Sequence, residues 1–133
     1  MPGKELRLLA LDGGGVRGLS SLIILQQLMQ TVDPEHPPKP CEYFDMIGGT
    51  STGGLIAIML GRLEMTVDEC IEAYLSLSDE IFQKKAHRLN VRGSIQGRFD
   101  SKKLEDAIKE VVRKRKLPEN TLLRNKEDVR CKV

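Results

Sequence analysis

The chain has 133 residues, of which 40% are hydrophobic and 30% are charged. This length suits one domain of roughly 100 to 200 residues and excludes two full domains. The apolar content exceeds that of an extended disordered chain, so we expect a soluble globular protein. The net charge of +2 conceals a division: residues 1–83 hold 5 Lys or Arg against 12 Asp or Glu, and residues 84–133 hold 16 against 7.

Cysteine use and hydropathy limit where the protein can act. Cys41, Cys70 and Cys131 form no C-x-x-C pair, which suggests neither a disulfide framework nor a zinc site and favours a reducing compartment. Charges within residues 1–9 interrupt any apolar run of a secretory signal. The apolar stretch at residues 55–60 is far shorter than the ~20 residues of a membrane span. We therefore expect a cytoplasmic protein, for which any membrane contact is peripheral.

The first part of the chain predicts a strand and a helix with a glycine-rich turn between them. Residues 6–11 (LRLLAL) are typical of a short buried strand, and a glycine cluster follows. Ser20 and Ser21 precede residues 22–32, whose apolar side chains recur at helical spacing. The four prolines within residues 33–40 disfavour a helix and predict an exposed connection.

The same order of strand, glycine turn and helix then follows a second time. Residues 43–47 (YFDMI) predict a strand, residues 48–54 (GGTSTGG) a turn, and residues 55–63 (LIAIMLGRL) a helix. Two such units are typical of an α/β domain, because a crossover through a helix brings consecutive strands into parallel pairing. We therefore expect a mainly parallel sheet with flanking helices.

Two further helices and the start of a strand are predicted in the remaining residues. Thr66 and Glu69 form a capping box at the start of a helix over residues 66–83. Asp100 or Ser101 is expected to cap a fourth helix, and the terminal VRCKV has the composition of a strand. The apolar positions expected to face inward are Val67, Cys70, Ile71, Tyr74, Leu77, Ile81 and Phe82 in the third helix and Leu104, Ala107, Ile108 and Val111 in the fourth.

The first glycine turn, residues 13–18 (GGGVRG), allows two nucleotide-binding interpretations, and each lacks a required residue. Its G-x-G-x-x-G spacing matches a dinucleotide-binding fingerprint, but the acidic residue needed roughly 20 residues later is replaced by the proline-rich connection. The turn also has P-loop spacing, but Leu19 occupies the position of the phosphate-binding Lys. We therefore rank a nucleotide-binding domain below two other hypotheses, an acyl-transfer enzyme and an interaction module.

The second turn contains a G-x-S-x-G pattern from Gly49 to Gly53 and predicts a nucleophile elbow. Such a turn holds its serine, here Ser51, in a strained backbone conformation that exposes the hydroxyl. Small residues two before and two after the serine let the strand and the helix approach closely. The alternative is a Gly/Ser turn without a catalytic role, since the pattern also occurs by chance.

The two turns together point to acyl-transfer chemistry. Parallel strands end at the same edge of their sheet, so we expect Gly13, Gly14 and Gly15 to lie beside Ser51. Their backbone amides can then bind the negative oxygen that develops in an acyl-transfer transition state. Each such donor is worth on the order of a hundred- to a thousandfold in rate.

Residues 9–18 (LALDGGGVRG) and 44–54 (FDMIGGTSTGG) together resemble the patatin-like phospholipases, especially their fungal members. The similarity extends through residues 97–105 (GRFDSKKLE) to the terminal CKV. It implies a three-layer α/β fold related to that of the α/β-hydrolases, with residues 1–133 as the N-terminal part of the domain. It also implies a serine acylhydrolase that acts on lipid esters and needs neither a metal nor an organic cofactor.

The resemblance also implies roles for individual residues. Ser51 would be the nucleophile, and Gly13, Gly14 and Gly15 would form the oxyanion hole. The other residues that match the two motifs are Asp12, Arg17, Gly18, Gly49 and Gly53. We expect Asp12 to shape the loop and not to touch substrate, because its carboxylate would oppose a developing oxyanion.

A serine hydroxyl needs a base to take its proton, and here the sequence departs from the family. The family uses a Ser-Asp dyad whose Asp lies in a D-G-G or D-G-A turn downstream of the elbow, but the only D-G in this chain is Asp12-Gly13. His36 and His87 are expected at the surface. We expect a longer parent chain to supply the Asp, and the chain as given to hydrolyse activated esters poorly or not at all. The downstream acids in helical or capping contexts are Asp68, Asp79, Asp100, Asp106 and Asp128.

The basic second part of the chain suggests an anionic partner. Residues 84–88 (KKAHR) and 113–116 (RKRK) concentrate the positive charge. Attraction to anionic phospholipid is worth about 1 kcal/mol per basic residue near such a surface. The alternative is a solvated helix end, where cations are favourable in their own right. Nucleic-acid binding is not expected, because these clusters lack interleaved aromatic residues.

An inactive or regulatory interaction module within a larger signalling protein is the main alternative to an enzyme. The continuation of the reading frame separates the two hypotheses. A downstream D-G-G or D-G-A turn supports the enzyme, and its absence from the full gene product supports the module. Under either hypothesis we expect further domains in a longer parent chain.

Overall fold

The computed structural model of the protein describes residues 3–82, 101–125 and 129–133. Its contacts divide the chain into two compact units, Met1–Glu72 with Leu122–Val133 and Ala73–Thr121. Both glycine turns belong to the first unit. In chain order the elements are β1 (Leu8–Leu11), α1 (Gly18–Val32), α2 (Pro40–Tyr43), β2 (Met46–Gly49), α3 (Thr52–Ala57), α4 (Val67–Phe82) and α5 (Ser101–Lys114).

The sheet of the first unit is parallel. All four residues of β1 pair in parallel with the four residues of β2. On the other edge of β2, the Lys132 amide donates to the Asp45 carbonyl (2.9 Å) and the Lys132 carbonyl accepts from Ile47 N–H (2.9 Å). The strand start predicted at VRCKV is thus present as a parallel bridge. This pairing, with helices between and after the strands, confirms the α/β class.

Helix α1 begins earlier than the sequence predicts. It starts at Gly18, before Ser20 and Ser21, because a 3-10 turn (Gly15–Arg17) leads directly into it without a side-chain cap. Its buried side chains recur every three or four residues, as the apolar spacing predicts. They are Leu22, Leu25 and Met29.

The predictions for residues 33–40 and 43–47 are wrong where the two segments adjoin. Pro40 is buried and begins α2, and β2 begins at Met46, not at Tyr43. A proline suits the first helical position, because its fixed φ fits a helix and it lacks an amide that would need a partner. The Phe44 amide donates to the Pro40 carbonyl (2.8 Å), which closes one helical turn and delays the strand.

The helix predicted at residues 55–63 is displaced and irregular. Helix α3 already begins at Thr52, inside the predicted turn, because the Ser51 carbonyl accepts from the amides of Gly54 (3.0 Å) and Leu55 (3.2 Å). The segment Ile58–Arg62 continues α3 with π-helical bonding. Such segments are frequent near functional sites.

Helix α4 confirms the predicted capping box. Thr66 N–H donates to Glu69 Oε2 (2.9 Å), and Glu69 N–H donates to Thr66 Oγ1 (3.1 Å). Its positions Val67, Cys70 and Tyr74 are buried. Leu77 is also buried, as predicted, Ile71 is half-buried, and nothing is described of the side chains of Ile81 and Phe82.

Helix α5 has the predicted apolar face. Ala107 and Val111 are buried, and Leu104 and Ile108 are half-buried. The alternative cap Asp100 lies outside the described residues. Across residues 3–82, 101–125 and 129–133, no helix combines the length and the hydropathy needed to cross a bilayer.

The first unit has an apolar core around the sheet. Ile47 of β2 is fully buried. Helix α3 contacts both strands, and its π-helical continuation contacts β2. Leu11 of β1 is also buried, so each strand contributes one buried apolar side chain to this core. The large side chains that are almost wholly buried include Leu22, Met29, Ile47, Ile56, Met59 and Leu60.

Candidate active site

Ser51 occupies the strained conformation that a nucleophile elbow requires. Its φ is 53° and its ψ is −126°. Residues other than glycine avoid this region of backbone conformation. The turn is closed on both sides of this residue, because Gly53 N–H donates to the Thr50 carbonyl (2.9 Å) and Gly54 N–H to the Ser51 carbonyl. Ser51 is exposed. The predicted backbone strain is therefore present, and it presents the side chain to solvent.

Gly49 and Gly53 let the strand and the helix meet, as the pattern predicts. A Cβ added to Gly49 would overlap the carbonyl group of Gly53 and lie 2.7 Å from the carbonyl oxygen of Leu11. A Cβ added to Gly53 would overlap that same oxygen and lie 3.0 Å from the Asp12 carbonyl oxygen. The obstructing atoms are backbone atoms that cannot rotate away. Any side chain at either position would separate the two turns.

The glycine loop (residues 12–18) lies directly against the elbow (residues 49–53). Thr50 N–H donates to the Leu11 carbonyl (3.1 Å), one step beyond the paired strands. A Cβ added to Gly13 would lie 2.7 Å from Ser51 Cβ and 3.5 Å from Ser51 Oγ. The expectation that the two turns share one edge of the sheet is therefore confirmed.

Two amides of the loop point at threonine side chains of the elbow. Gly13 N–H donates to Thr50 Oγ1 (3.3 Å), and Gly15 N–H donates to Thr52 Oγ1 (3.0 Å). Gly15 has a φ of +59°, which a residue with a Cβ rarely adopts. Sequence reasoning alone does not single out these threonines. The signal for them is the pair of hydroxyl residues on either side of the serine in G-T-S-T-G.

The remaining motif residues lie around the loop. Arg17 N–H donates to the Gly14 carbonyl (3.2 Å), and a Cβ added to Gly14 would lie 3.3 Å from Arg17 Cβ. Arg17 therefore packs over the middle of the loop, while its side chain remains exposed. Asp12 is exposed, and Gly18 is buried at the start of α1.

No base reaches Ser51 within the part of the chain that the structure describes. There, Ser51 Oγ has no hydrogen-bond partner. Asp68 Oδ1 instead accepts from Gln26 Nε2, and His36 is exposed in the connection after α1. Asp79 and Asp106 are exposed on α4 and α5. The other candidate groups, His87, Asp100 and Asp128, lie outside the described residues.

The basic cluster at residues 113–116 lies at the end of α5, within the described residues. Lys114 Nζ pairs with Glu110 (3.0 Å) and Arg113 Nε with Glu119 (3.6 Å). These ion pairs within the second unit reduce the charge that the cluster at residues 113–116 presents to a partner. The cluster at residues 84–88 lies outside the described residues.

The three cysteines are free thiols. Burial raises the pKa of the Cys70 thiol to about 12 and, together with the charge of Glu64, that of Cys41 to about 11. Both are therefore protonated at neutral pH, which disfavours a nucleophilic role. In the described ranges, no group of three or more His, Cys, Asp or Glu side chains is arranged to hold a metal ion.

Comparison with known proteins identifies a family for this chain. The family model described as patatin-like phospholipase matches residues 9–132. Calcium-independent phospholipase A2-gamma of Rattus norvegicus is 38% identical over 112 residues, which cover 83% of this chain and 14% of that protein. Patatin of Solanum tuberosum is 36% identical over 115 residues, which cover 81% of this chain and 29% of that protein. No solved structure matches the chain significantly.

The chain belongs to the patatin-like phospholipase family, since the family model covers nearly all of its residues. A third relative, phospholipase A I of Arabidopsis thaliana, is 38% identical over 101 residues, which cover 75% of this chain and 7% of that protein. The chain therefore spans less than a third of the length of each of these relatives.

Proposed function

We propose that this chain carries the nucleophile and the oxyanion-binding loop of a serine acylhydrolase that acts on lipid esters. The observation that carries the proposal is the exposed Ser51, held at a φ of 53° with the glycine loop against it. Membership of the patatin-like phospholipase family supports the same chemistry. The relatives named as phospholipases support a lipid ester as the substrate class.

The arrangement suits attack on an ester carbonyl. Ser51 Oγ would form a bond to the carbonyl carbon, and the negative charge that develops on the carbonyl oxygen would be bound by the amides of Gly13, Gly14 and Gly15. In such elbows the amide of the residue after the nucleophile, here Thr52, supplies a further donor. Loss of the alcohol would leave an acyl group on Ser51, which water then removes.

The proton of Ser51 needs a base that we assign to an Asp in a longer parent chain. Three facts support this assignment: the chain lacks a downstream D-G-G or D-G-A turn, Ser51 Oγ has no partner among the described residues, and the chain spans a small share of its relatives. Residues 1–133 would then be the N-terminal part of a patatin-like domain. If the full gene product also lacks such a turn, the regulatory module is the better hypothesis.

The reactivity of Ser51 tests the function. On prolonged incubation with excess alkyl fluorophosphonate, the elbow and the glycine loop alone should let Ser51 Oγ bond slowly to phosphorus, since such groups leave residual reactivity when the base is missing. Fluoride leaves, the proton passes to water, and intact-mass analysis should detect one adduct. We expect the adduct to be lost in Ser51→Ala and kept in Ser20→Ala, a matched serine exposed on α1. Equal labelling of the unmodified chain and Ser51→Ala would contradict the proposal.

Ester turnover tests the missing base separately. Without a catalytic base we expect little or no hydrolysis of a p-nitrophenyl acyl ester, at most the roughly 10³- to 10⁴-fold over water that binding and an oxyanion hole leave when a triad member is removed. Robust turnover that Ser51→Ala abolishes would show that residues 1–133 already contain the base.

Peripheral contact with an anionic membrane is a further part of the proposal. Each basic residue near such a surface is worth about 1 kcal/mol, but the ion pairs of Arg113 and Lys114 reduce this attraction for the cluster at residues 113–116. We expect more of the chain to float with anionic than with neutral vesicles, and the difference to shrink at high salt. Equal binding to the two vesicle types would contradict this part.

A further inference from the structure

Two threonine hydroxyls connect the glycine loop to the elbow. Thr50 Oγ1 accepts the hydrogen bond of the Gly13 amide, and Thr52 Oγ1 accepts that of the Gly15 amide. The two donors are two residues apart along the loop, and the two acceptors are two residues apart along the elbow. The side chains therefore continue, beyond the strand ends, the pairing that β1 and β2 make through their backbones.

The position of these bonds matters because the loop touches the nucleophile. The backbone of Gly13 is so close to Ser51 that a Cβ at Gly13 would lie 2.7 Å from Ser51 Cβ. An amide that is to bind an oxyanion must be placed within a few tenths of an ångström, and a misplacement of about 1 Å can cost on the order of a hundredfold in rate. Whatever holds the loop against the elbow therefore controls how well the amides serve the reaction.

We propose that Thr50 and Thr52 are positioning residues, whose hydroxyls hold the glycine loop against the elbow and keep the amides of Gly13 and Gly15 turned toward the residues that flank the nucleophile. This inference rests on the proposed function, in which those amides bind the oxyanion. A charged oxygen is a stronger acceptor than a hydroxyl, so a forming oxyanion can take over or share the amides. Before the oxyanion forms, the oxygens of Thr50 and Thr52 accept the hydrogen bonds of these two amides.

Threonine suits this task better than other hydroxyl residues. Its branched Cβ restricts χ1, so fewer rotamers compete with the one in which the hydroxyl accepts the amide. Valine has nearly the same shape and no acceptor, while serine keeps the acceptor and loses the branch. Thr50 is exposed and Thr52 is half-buried, so Thr50→Val in particular removes little besides the hydrogen bond.

The amide resonances of the ¹⁵N-labelled chain test the inference without any need for activity. We expect Thr50→Val to move the Gly13 amide proton upfield and speed its exchange, with Gly15 unchanged, and Thr52→Val to do the reverse. Thr50→Ser and Thr52→Ser should restore both signals. If neither valine variant affects its own glycine, the inference is wrong. If a valine variant does not fold, the unmodified chain decides, because a steep, solvent-like temperature dependence of the Gly13 and Gly15 amide shifts would also contradict the bonds.

The rate of fluorophosphonate labelling at Ser51 separates this inference from the proposed function. We expect a fall of about ten- to a hundredfold in the valine variants and near-normal rates in the serine variants. Valine variants that label Ser51 at the unmodified rate, although their glycine amides shift, would overturn the positioning role and leave the proposed function standing. No labelling in any chain, with the amide pattern as expected, would overturn the proposed function while the two threonine bonds stand.

Discussion

At the scale of single residues, the geometry around Ser51 depends on glycines that have no side chain as well as on the hydrogen bonds of the turn. Ser51 has a positive φ that is costly for a residue with a side chain, by about 1 to 3 kcal/mol. The hydrogen bonds around it and the close contact of Gly49 and Gly53 with neighbouring carbonyl groups hold it there. The strained serine is therefore possible only while strand, loop and helix remain in contact.

A single methyl group at Gly53 should break this contact. In Gly53→Ala the new Cβ would overlap the Leu11 carbonyl oxygen, so we expect the free energy of unfolding to fall by about 3 kcal/mol, as for an overpacked site. Gly48→Ala is the matched control, because a Cβ there meets nothing within 4 Å. Its effect should stay within about 1 kcal/mol. Urea unfolding measures both, and equal midpoints for the two variants would contradict the close approach.

At the scale of elements, each helix begins in its own way. Helix α1 grows out of a 3-10 turn, α2 begins with a proline, and α3 begins in the elbow itself. Helix α4 has the one reciprocal Ser/Thr capping box found among the described helices, between Thr66 and Glu69. Its first amides are therefore satisfied locally, whereas α1 and α3 have no side-chain cap and depend on packing.

Removal of the cap of α4 should cost a predictable amount. Thr66→Ala takes away the oxygen that accepts from the Glu69 amide, so we expect the free energy of unfolding to fall by about 1 kcal/mol. Thr66→Ser keeps that oxygen and should remain within a few tenths of a kcal/mol of the unmodified chain. Urea unfolding of the three chains checks this. If the serine variant loses as much as the alanine variant, the methyl group and not the cap stabilises this end.

At the scale of the whole molecule, residues from both ends of the chain meet at Asp45. Arg7 N–H donates to Asp45 Oδ2 (3.0 Å), and Lys4 (3.7 Å) and Arg130 (3.6 Å) pair with Oδ1. The Asp45 side chain is only 12% exposed. The Arg7 amide first, and then the two cations, hold the pKa of Asp45 below its ordinary value of 3.8. This carboxylate therefore ties the segment before β1 and the terminal segment to β2.

The depressed pKa of Asp45 predicts the direction of the pH dependence. A carboxyl whose pKa is lower in the folded state contributes its stabilisation fully above the ordinary value and loses it as the pH falls through the folded pKa. We expect the stability of the unmodified chain to fall more steeply below about pH 5 than that of Asp45→Asn. Asp106→Asn, at an exposed position of α5, is the control and should follow the unmodified chain. Parallel pH profiles for the unmodified chain and Asp45→Asn would contradict this role.

The fold class, the order of the elements and the two turns could be predicted from the sequence, because each depends on local patterns. Apolar spacing predicts α1, α4 and α5, the capping box predicts the start of α4, and the glycine runs mark both turns. Errors arose where tertiary contacts override local preference. The buried Pro40 begins a helix before β2, and the elbow itself becomes the first turn of α3.

The sequence by itself determined the order of a glycine loop and a later glycine turn that holds a serine, and it predicted that the two lie at one edge of a parallel sheet. Only the tertiary structure decided how the two meet: parallel pairing of β1 with β2 brings Gly13 against Ser51 and directs two loop amides at Thr50 and Thr52. The physical reason is distance along the chain. The bonded residues are 37 positions apart, and no local propensity encodes a hydrogen bond that exists only after the sheet has formed.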